Sequence, residues 1–184
     1  MLTWFTSDTH LGHANVIGYC GRPFADVWEM DRELTARWNA VVGPGDLVYH
    51  LGDLALPCRE VRDAYADPLR TYLAGLNGQI VLIMGNHDRM SASKLRGYGL
   101  EVVKGSLTVV LDGLRVHMSH HPQAGLAALE AGTCDLALCG HVHEAWRERK
   151  TQNGGRLINV GVDQWGFRPR TLEELTGEKT WNDI

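Results

Sequence analysis

Features that mark disulfide-bonded, membrane-bound and strongly charged proteins are scarce in this sequence. Its four cysteines are far apart and form no C-x-x-C pair, which disfavours a zinc knuckle and favours reduced thiols in a cytoplasmic protein. No stretch approaches the ~20 apolar residues of a membrane helix, and residues 1–8 contain no basic segment and no cleavage pattern. We therefore expect a cytoplasmic protein with no membrane partner.

Charge of either sign is also modest. The net charge is −4 with neutral histidines, 22% of residues are charged and 44% are hydrophobic, which is ordinary for a globular protein. This balance does not indicate a nucleic-acid partner, although a total can hide a local basic patch. The 184 residues contain no linker, repeat or low-complexity segment, so we predict one domain over residues 1–184 and leave its oligomeric state open.

Histidine, by contrast, is abundant and clustered. Nine histidines occur, and most stand beside Asp, Asn, Gly or another His. The clusters lie at residues 8–13, 120–121 and 141–143. Neutral imidazole and carboxylate are the usual ligands of first-row divalent metals, so these clusters indicate a metal site.

Short β-prone runs alternate with helical patterns along the first half of the chain, and hairpin signals follow. We predict strands at residues 2–7, 47–51, 80–84, 107–111, 114–118, 136–139, 146–150 and 156–160. We predict helices after an Asp26 cap as far as residue 42, over 57–76 with an interruption at 67–68, at 91–96 and at 123–131. The segment after Thr171 stays open. Such an order predicts an α/β or α+β sandwich with a mixed sheet.

Metal-ligand side chains follow five of these strands at their carboxyl ends. They are Asp8 and His10, Asp53, Asn86, His120 beside His121, and His141 with His143. Open α/β sheets place their sites along that edge, so loops distant in sequence can converge there. Residues i and i+2 of an extended chain point the same way, which makes a pair of Asp8 and His10 and another of His141 and His143. Asp53 is the natural carboxylate to bridge two cations about 3.5–4 Å apart.

Each of these segments alone has a structural interpretation. The Asp8 segment could be a helix cap with a surface histidine, Gly52-Asp53 an ordinary turn, and His120-His121 a solvated pair. Their joint occurrence, in this order and at strand ends, favours the metal site.

The pattern D-x-H, G-D, G-N-H-D, H and G-H-x-H resembles the calcineurin-like metallophosphoesterase family. The matching segments are residues 8–10, 52–53, 85–88, 119–120 and 140–143, and the resemblance runs from residue 3 to at least 143. Residues 7–13 and 159–163 look like a small bacterial and phage branch of that family. The resemblance implies a four-layer α/β-β/α sandwich with mixed sheets.

The resemblance also implies two divalent metal ions per chain and their ligands. One ion would be held by Asp8, His10, Asp53 and His143, and the other by Asp53, Asn86, His120 and His141. Manganese or iron is favoured by the resemblance, and zinc or nickel also suits such mixed ligands.

A dinuclear phosphoesterase is the implied activity, with a phosphodiester or phosphomonoester of small or nucleotide-like kind as substrate. The ions would lower the pKa of a shared water from ~15.7 towards ~7, and hydroxide would attack phosphorus in line with the leaving oxygen. His87 is our candidate for contacting phosphate and protonating the leaving alcohol. Asp88 would orient His87 or cap the next helix.

Further residues are candidates for substrate contact. Asn86, His13 and Arg22 could bind phosphate oxygens, against the alternatives of a loop-packing histidine and a surface arginine. Trp165 could line the site or belong to the core.

Two other functions stay open. A nuclease or nucleic-acid end-processing enzyme would need a basic track, for which Arg147, Arg149 and Lys150 are the dense candidates. A non-catalytic scaffold is disfavoured because every ligand position is filled. Protein Ser/Thr phosphatases of the family carry G-D-x-x-D-R-G, whereas here Leu54-Ala55-Leu56 follows Asp53, which disfavours that substrate.

Overall fold

Ten short strands form the framework of the protein in a computed structural model that describes residues 1–177. The predicted single domain includes residues 178–184, which lie outside the described residues. The strands are β1 (Thr3–Thr6), β2 (Leu47–His50), β3 (Gln79–Ile83), β4 (Glu101–Val103), β5 (Ser106–Leu111), β6 (Leu114–Ser119), β7 (Leu136–Cys139), β8 (Glu148–Lys150), β9 (Arg156–Asn159) and β10 (Arg170–Thr171).

The helices are mostly short. They are α1 (Ala14–Tyr19), α2 (Val27–Asn39), α3 (Arg59–Ala64), α4 (Pro68–Gly75), α5 (Ala92–Arg96), α6 (Pro122–Glu130) and α7 (Leu172–Thr176), with a 3₁₀ turn at Val162–Gln164. Within residues 1–177 no helix has both the length and the apolar character that crossing a membrane requires.

The strands form two five-stranded mixed sheets. The order of the first is β10-β1-β2-β3-β4, in which β1 to β4 are parallel and β10 is antiparallel to β1. The order of the second is β5-β6-β7-β9-β8, with β6, β7 and β9 parallel and the hairpin partners β5 and β8 antiparallel. The carboxyl ends of seven strands are therefore available in the parallel parts of the two sheets.

Alternation of side chains along each strand produces the layers. Phe5 points between the two sheets, where it packs in one cluster with Met118 and Leu138 of the second sheet. The adjacent Trp4 points outward and packs with Trp38 of α2. On the other side α6 covers the second sheet through a cluster that includes Leu157. The predicted four-layer sandwich with mixed sheets is confirmed.

Local signals explain where several helices begin. The Asp26 side chain accepts from the Glu29 backbone N–H at 2.8 Å, which caps α2 as predicted. The helix predicted over residues 57–76 is interrupted at residues 67–68 as expected, which divides it into α3 and α4, because Asp67 caps the second helix and Pro68 starts it. The open segment after Thr171 contains α7, which begins with a capping box between Thr171 and Glu174.

The two sheets touch at the edge where the ligand loops emerge. Ser7 pairs with Gly161 in an isolated parallel bridge, and the Val162 N–H donates to the Ser7 carbonyl at 3.1 Å. Ser7 also donates from its hydroxyl to the Leu51 carbonyl at 3.0 Å. This junction holds loops of both sheets close together.

Candidate metal centre

The predicted ligands lie in one continuous cluster at this edge. Donor atoms of Asp8, His10 and His143 lie within 4.8 Å of one another, and so do those of Asp8, Asp53 and His120. His120 extends the cluster outward, because its donor atom also lies within 4.8 Å of those of His121 and His141. Asn86 joins there, with its Oδ1 3.0 Å from Nε2 of His120.

Backbone strain is concentrated at the same residues. Five of the predicted ligands have positive φ angles: Asp8 (58°), His10 (52°), Asp53 (57°), His141 (72°) and His143 (43°). Among the other non-glycine residues of the described chain, only Asp112 and Phe167 share this conformation. Left-handed backbone is costly for residues with a Cβ and accumulates at functional sites, where it aims side chains that a relaxed strand end would point elsewhere.

Glycines give the loops the room to approach each other. A Cβ on Gly52, whose φ is +99°, would lie 2.6 Å from both the Gly85 nitrogen and Nδ1 of His120. A Cβ on Gly140 would collide with the Ser7 hydroxyl and lie 2.6 Å from the Asp8 carboxylate. The glycines before the ligands therefore permit contacts between loops that a larger residue would block.

Three of the predicted ligand histidines are held from behind. In each of them Nδ1 has a hydrogen-bond partner, which leaves Nε2 to face the carboxylates. The Nδ1 contacts are His10 to Nδ1 of His13 at 3.2 Å, His120 to the Leu51 carbonyl at 2.7 Å, and His143 to Oδ2 of Asp163 at 3.0 Å. Such contacts fix the orientation of a ligating imidazole before any ion arrives.

The inward Nε2 atoms lie near carboxylate oxygens. His10 Nε2 and His120 Nε2 are 3.5 and 3.4 Å from Oδ2 of Asp53, and His143 Nε2 is 3.9 Å from Oδ1 of Asp8. Within residues 1–177, His10 Nε2 is buried and has no hydrogen-bond partner. A buried polar atom without a partner is costly, and a cation between it and the carboxylates would satisfy it. The donor set therefore fits divalent metal ions.

The pKa shifts favour ligating forms at two of the histidines. Burial, as the largest cause, lowers the pKa of His10 to about 2 and also lowers the pKa of His141. Burial would raise the pKa of Asp53, but the hydrogen bond and charge of His120 and the His87 backbone N–H lower it overall. At neutral pH these imidazoles are neutral and the Asp53 carboxylate is ionised, as metal ligands must be.

Charged partners shift the remaining groups in other directions. Burial raises the pKa of Asp8, although His120 and His143 act in the opposite direction. The pKa of His143 rises to about 10 because its hydrogen bond to Asp163 and the nearby Asp8 outweigh burial. Without metal, the positive charge of His143 partly balances the neighbouring carboxylates of Asp8 and Asp163. Bound cations would take over this role.

His87 and His13 lie at the mouth of the cluster. The His87 backbone N–H donates to Oδ1 of Asp53 at 2.8 Å, and its half-buried ring lies 5.3 Å from the ring of His10. The His13 ring is 6.0 Å from that of His87 and is also half-buried. Both imidazoles therefore lie beside His10, one of the predicted ligands.

Arg22 is placed differently from our prediction. Its side chain is fully buried and donates to both carboxylate oxygens of Asp163, at 2.8 and 3.0 Å, and to the carbonyls of Asp8 and Thr9, at 2.6 and 3.0 Å. A guanidinium committed to four acceptors cannot reach a substrate phosphate. Arg22 supports the ligand loops and is neither a substrate contact nor a surface arginine.

Asp88 also has another role than either of those predicted. Its carboxylate accepts backbone N–H groups of Asp53 at 2.8 Å, Leu54 at 3.1 Å and Gly85 at 2.8 Å. It therefore fastens the loop after β2 to the loop after β3 and does not cap α5, whose cap is Ser91. No hydrogen bond to the His87 side chain is found in the described part of the chain.

The candidates at the second hairpin are partly engaged within the protein. Trp165 packs at the border of the core between the sheets and donates from Nε1 to the Asn159 carbonyl at 2.7 Å. Arg147 stacks on Trp165 at 4.6 Å and donates to the Gln164 carbonyl, while Arg149 lies 4.7 Å over Trp146. Trp165 thus supports the turn next to His143 more than it lines an open pocket.

Sequence reasoning gave no role to Asp163 or Cys20 and only a secondary one to His121. Asp163 holds His143, and Cys20 has its Sγ within 4.8 Å of donor atoms of both. His121, considered the weaker alternative to His120, lies 4.3 Å from His141 between ring centroids. Asp163 had one sequence signal, since it ends the 159–163 segment that follows β9 at the same edge as the predicted ligands.

A two-sheet sandwich whose strand ends converge on buried carboxylates and imidazoles defines a metallophosphoesterase. The family model described as Calcineurin-like phosphoesterase superfamily domain matches residues 1–172, and the chain belongs to that family. It is a metal-dependent phosphoric ester hydrolase.

Relatives and solved structures share parts of this sequence or its fold. The chain is 41% identical to the uncharacterized protein MJ1445 of Methanocaldococcus jannaschii over 64% of this chain and 68% of that one. It is 33% identical to the gene 66 protein of Mycobacterium phage D29 over 88% of each chain. The protein of unknown function AQ665 from Aquifex aeolicus has the same fold, with a TM-score of 0.74 and 23% identity over 97% of this chain and 99% of that one. A novel archaeal phosphodiesterase shares the fold with a TM-score of 0.51 and 20% identity over 90% and 87%.

Proposed function

We propose that this protein is a dinuclear phosphoesterase that hydrolyses a phosphodiester or phosphomonoester of a small or nucleotide-like substrate. The observation that carries the proposal is the convergence of five loops on one cluster, with positive φ angles at five ligand positions and a buried, unpartnered Nε2 on His10. Such strain and such an unsatisfied atom have a physical reason if cations complete the site.

The proposed ligand sets are those that the family resemblance implies. Asp8, His10, Asp53 and His143 would hold one ion, and Asp53, Asn86, His120 and His141 the other. When bound, two divalent cations would lower the pKa of water and neutralise charge on the phosphoryl oxygens. Manganese or iron is our preferred pair of candidates, with zinc and nickel compatible with the same donors.

His87 is proposed to contact the phosphate and to hold a proton for the leaving oxygen. Its backbone is tied to Asp53 and its ring lies beside His10, so it stays at a fixed distance from the ligands. The ring is half-buried and its Nδ1 is among the buried atoms without a partner in residues 1–177. Asn86 and His13, at the same mouth, are proposed substrate contacts.

Nucleic-acid processing is the second candidate function. The observation that favours it is the exposed edge strand β8, where Arg149 lies over Trp146 and Lys150 is exposed. Cationic and aromatic side chains of this kind bind single strands by stacking and by phosphate contact. The nuclease MPE of Pseudomonas putida has the same fold with a TM-score of 0.50 and 24% identity over 85% of this chain and 67% of that one.

The test is metal-dependent turnover. The protein is stripped with a chelator, reloaded with manganese, iron(II), nickel or zinc, and assayed with bis-aryl and mono-aryl phosphates. We expect at least one metal to restore hydrolysis, and the ratio of diester to monoester rates defines the substrate class. Metal binding without hydrolysis of either ester would overturn the small-ester proposal. Single-stranded oligonucleotides, assayed in parallel, would then decide for or against the second candidate.

A further inference from the structure

A buried chain of hydrogen bonds runs from Arg22 through Asp163 to His143. Arg22 Nε and one Nη donate to the two carboxylate oxygens of Asp163 at 2.8 and 3.0 Å. Oδ2 of Asp163 also accepts from Nδ1 of His143 at 3.0 Å. The side chains of Arg22 and Asp163 are 0% and 3% exposed, so water does not compete for these contacts.

Arg22 connects this chain to the loop that carries Asp8. The same guanidinium donates to the Asp8 carbonyl at 2.6 Å and to the Thr9 carbonyl at 3.0 Å. It therefore joins the loop after β1 to the 3₁₀ turn that contains Asp163. A bidentate pair of this kind fixes the carboxylate in direction as well as in position.

We propose that Asp163, locked by Arg22, is a positioning residue that orients His143 as a metal ligand. By accepting a hydrogen bond from Nδ1–H, Asp163 keeps the proton on Nδ1 and leaves the Nε2 lone pair to face Asp8. The same bond holds the ring at that angle. The inference rests on the proposed metal centre and assigns to Asp163 a role that no ligand prediction gave it.

The other histidines of the cluster lack this support. Nδ1 of His120 faces a carbonyl and Nδ1 of His10 faces a second imidazole, so among residues 1–177 only His143 has a carboxylate behind it. His143 is also more exposed than His10, with 21% of its side chain accessible against 2%. A ring that packing holds less firmly gains most from an ionic partner.

Cys20 raises the alternative that Asp163 is itself a ligand of a separate site. Donor atoms of Cys20, His143 and Asp163 do lie within 4.8 Å of one another. Both carboxylate oxygens of Asp163 are already engaged, however, one by Arg22 and the other by Arg22 and His143 together. The geometry thus favours a positioning role.

The test uses full-length protein and compares three variants. Asp163→Asn keeps the shape but removes the charge, and Arg22→Lys keeps the charge but removes the bidentate fork. Asp135→Asn is the matched control, because Asp135 has a similar bidentate pair with Arg115 at the opposite end of β7. The measurements are Mn²⁺ affinity by competition with a chelator, the visible absorption spectrum of the Co²⁺-loaded protein, and thermal unfolding of the metal-free protein.

We expect Asp163→Asn to lower the Mn²⁺ affinity of the site that contains His143 about 10–100-fold and to change the Co²⁺ spectrum, as loss of such a partner does. Arg22→Lys should weaken it in the same direction, and Asp135→Asn should change neither property. Unaltered affinity and spectrum in a folded Asp163→Asn protein would overturn the inference. If that variant does not fold, unaltered binding in Arg22→Lys overturns it instead. Absence of metal binding by the wild type would count against the proposed function itself.

Discussion

The two halves of the proposed centre differ in how the protein holds them. The inner half, Asp8, His10 and His143, is tied down by Arg22, Asp163 and His13. The outer half, Asn86, His120 and His141, contains the two exposed members Asn86 and His141. The ring of His141 is surrounded by His120 and His121, with no carboxylate behind it in the described chain.

This difference indicates a division of labour. An inner ion would meet donors that are already oriented, so little conformational freedom remains to be lost when it binds. An outer ion would meet the buried His120 but also Asn86 and His141, which water still reaches. We therefore expect a tightly held inner ion and a more readily exchanged outer one.

The largest effect is expected from removing the carboxylate that the two halves of the proposed centre share. Asp53 is buried and ionised, and its Oδ2 lies within 3.5 Å of Nε2 of both His10 and His120. Asp53→Asn should therefore weaken the binding of both metal ions. We expect kcat/KM for an aryl phosphate to fall by about 10³-fold or more, which corresponds to the several kcal/mol that metal ions supply in the transition state. Asp135→Asn is the charge-matched control, and a loss under tenfold would contradict the bridging assignment.

A second variant should lower turnover while leaving both halves intact. His87→Ala removes an imidazole that is not among the proposed metal ligands, so the metal content after desalting should equal that of the wild type. General-acid help is worth about 10²–10⁴-fold, so kcat should fall by about 10² for an ester with a poorly acidic leaving alcohol and by less for a nitrophenyl ester. An equal loss with both leaving groups would show that His87 only binds phosphate.

The framework of the fold was predictable because its signals are local. Apolar runs ending in polar residues predicted the strands that carry the ligands, and Asp26 predicted the start of α2. The misses are short elements. Six-residue α1 has no side-chain cap and buries only Val16, and three-residue β4 exists through its pairing with β3. Neither is long enough to show a period of its own.

The supports of the site could not be predicted, since they depend on contacts between distant segments. Arg22 meets Asp163 across 141 positions of the chain, and Asp88 meets the Asp53 backbone across 35. An arginine suits a phosphate contact as well as a structural ion pair, and an aspartate can orient a histidine or accept backbone N–H groups. Only the packing of the loops decides between these roles, and it uses both residues to hold ligands in place.

Single-ligand variants should separate the two halves by metal affinity. His10→Ala should lose the tighter ion and leave the weaker one, whereas His141→Ala should keep the tighter ion and weaken only the other. We expect the two Mn²⁺ dissociation constants of the wild type to differ by about tenfold, because preorganised donors lower the free-energy cost of binding. A tenfold difference corresponds to about 1.4 kcal/mol. Titration of chelator-stripped protein with Mn²⁺ measures both constants, and equal constants with equal effects of the two variants would contradict the division.

The last expected effect is on stability and not on the metal ions, and it concerns the support of the inner half. Asp31 of α2 is buried and accepts from the Gly12 N–H at 2.9 Å and from the Tyr72 hydroxyl at 2.7 Å, which fastens the loop after β1. Burial, only partly offset by these hydrogen bonds and by Arg22, raises the pKa of Asp31 to about 6 from its ordinary 3.8. The folded state therefore holds the proton more tightly than the unfolded state does.

The sign of the resulting pH dependence follows from that difference. The contribution of Asp31 to stability is fully present below pH ~4 and is lost as pH rises through ~6, a change of about 3 kcal/mol as an upper figure. Asp31→Asn cannot ionise, so its free energy of unfolding, measured by urea with chelator present, should gain on the wild type by up to that amount between pH 4 and 7. Glu33→Gln, on the same helix but only partly buried, controls for the change of net charge. A constant difference between Asp31→Asn and wild type across this range would show that the carboxylate stays ionised in the fold, and that the support of the inner half is ionic throughout.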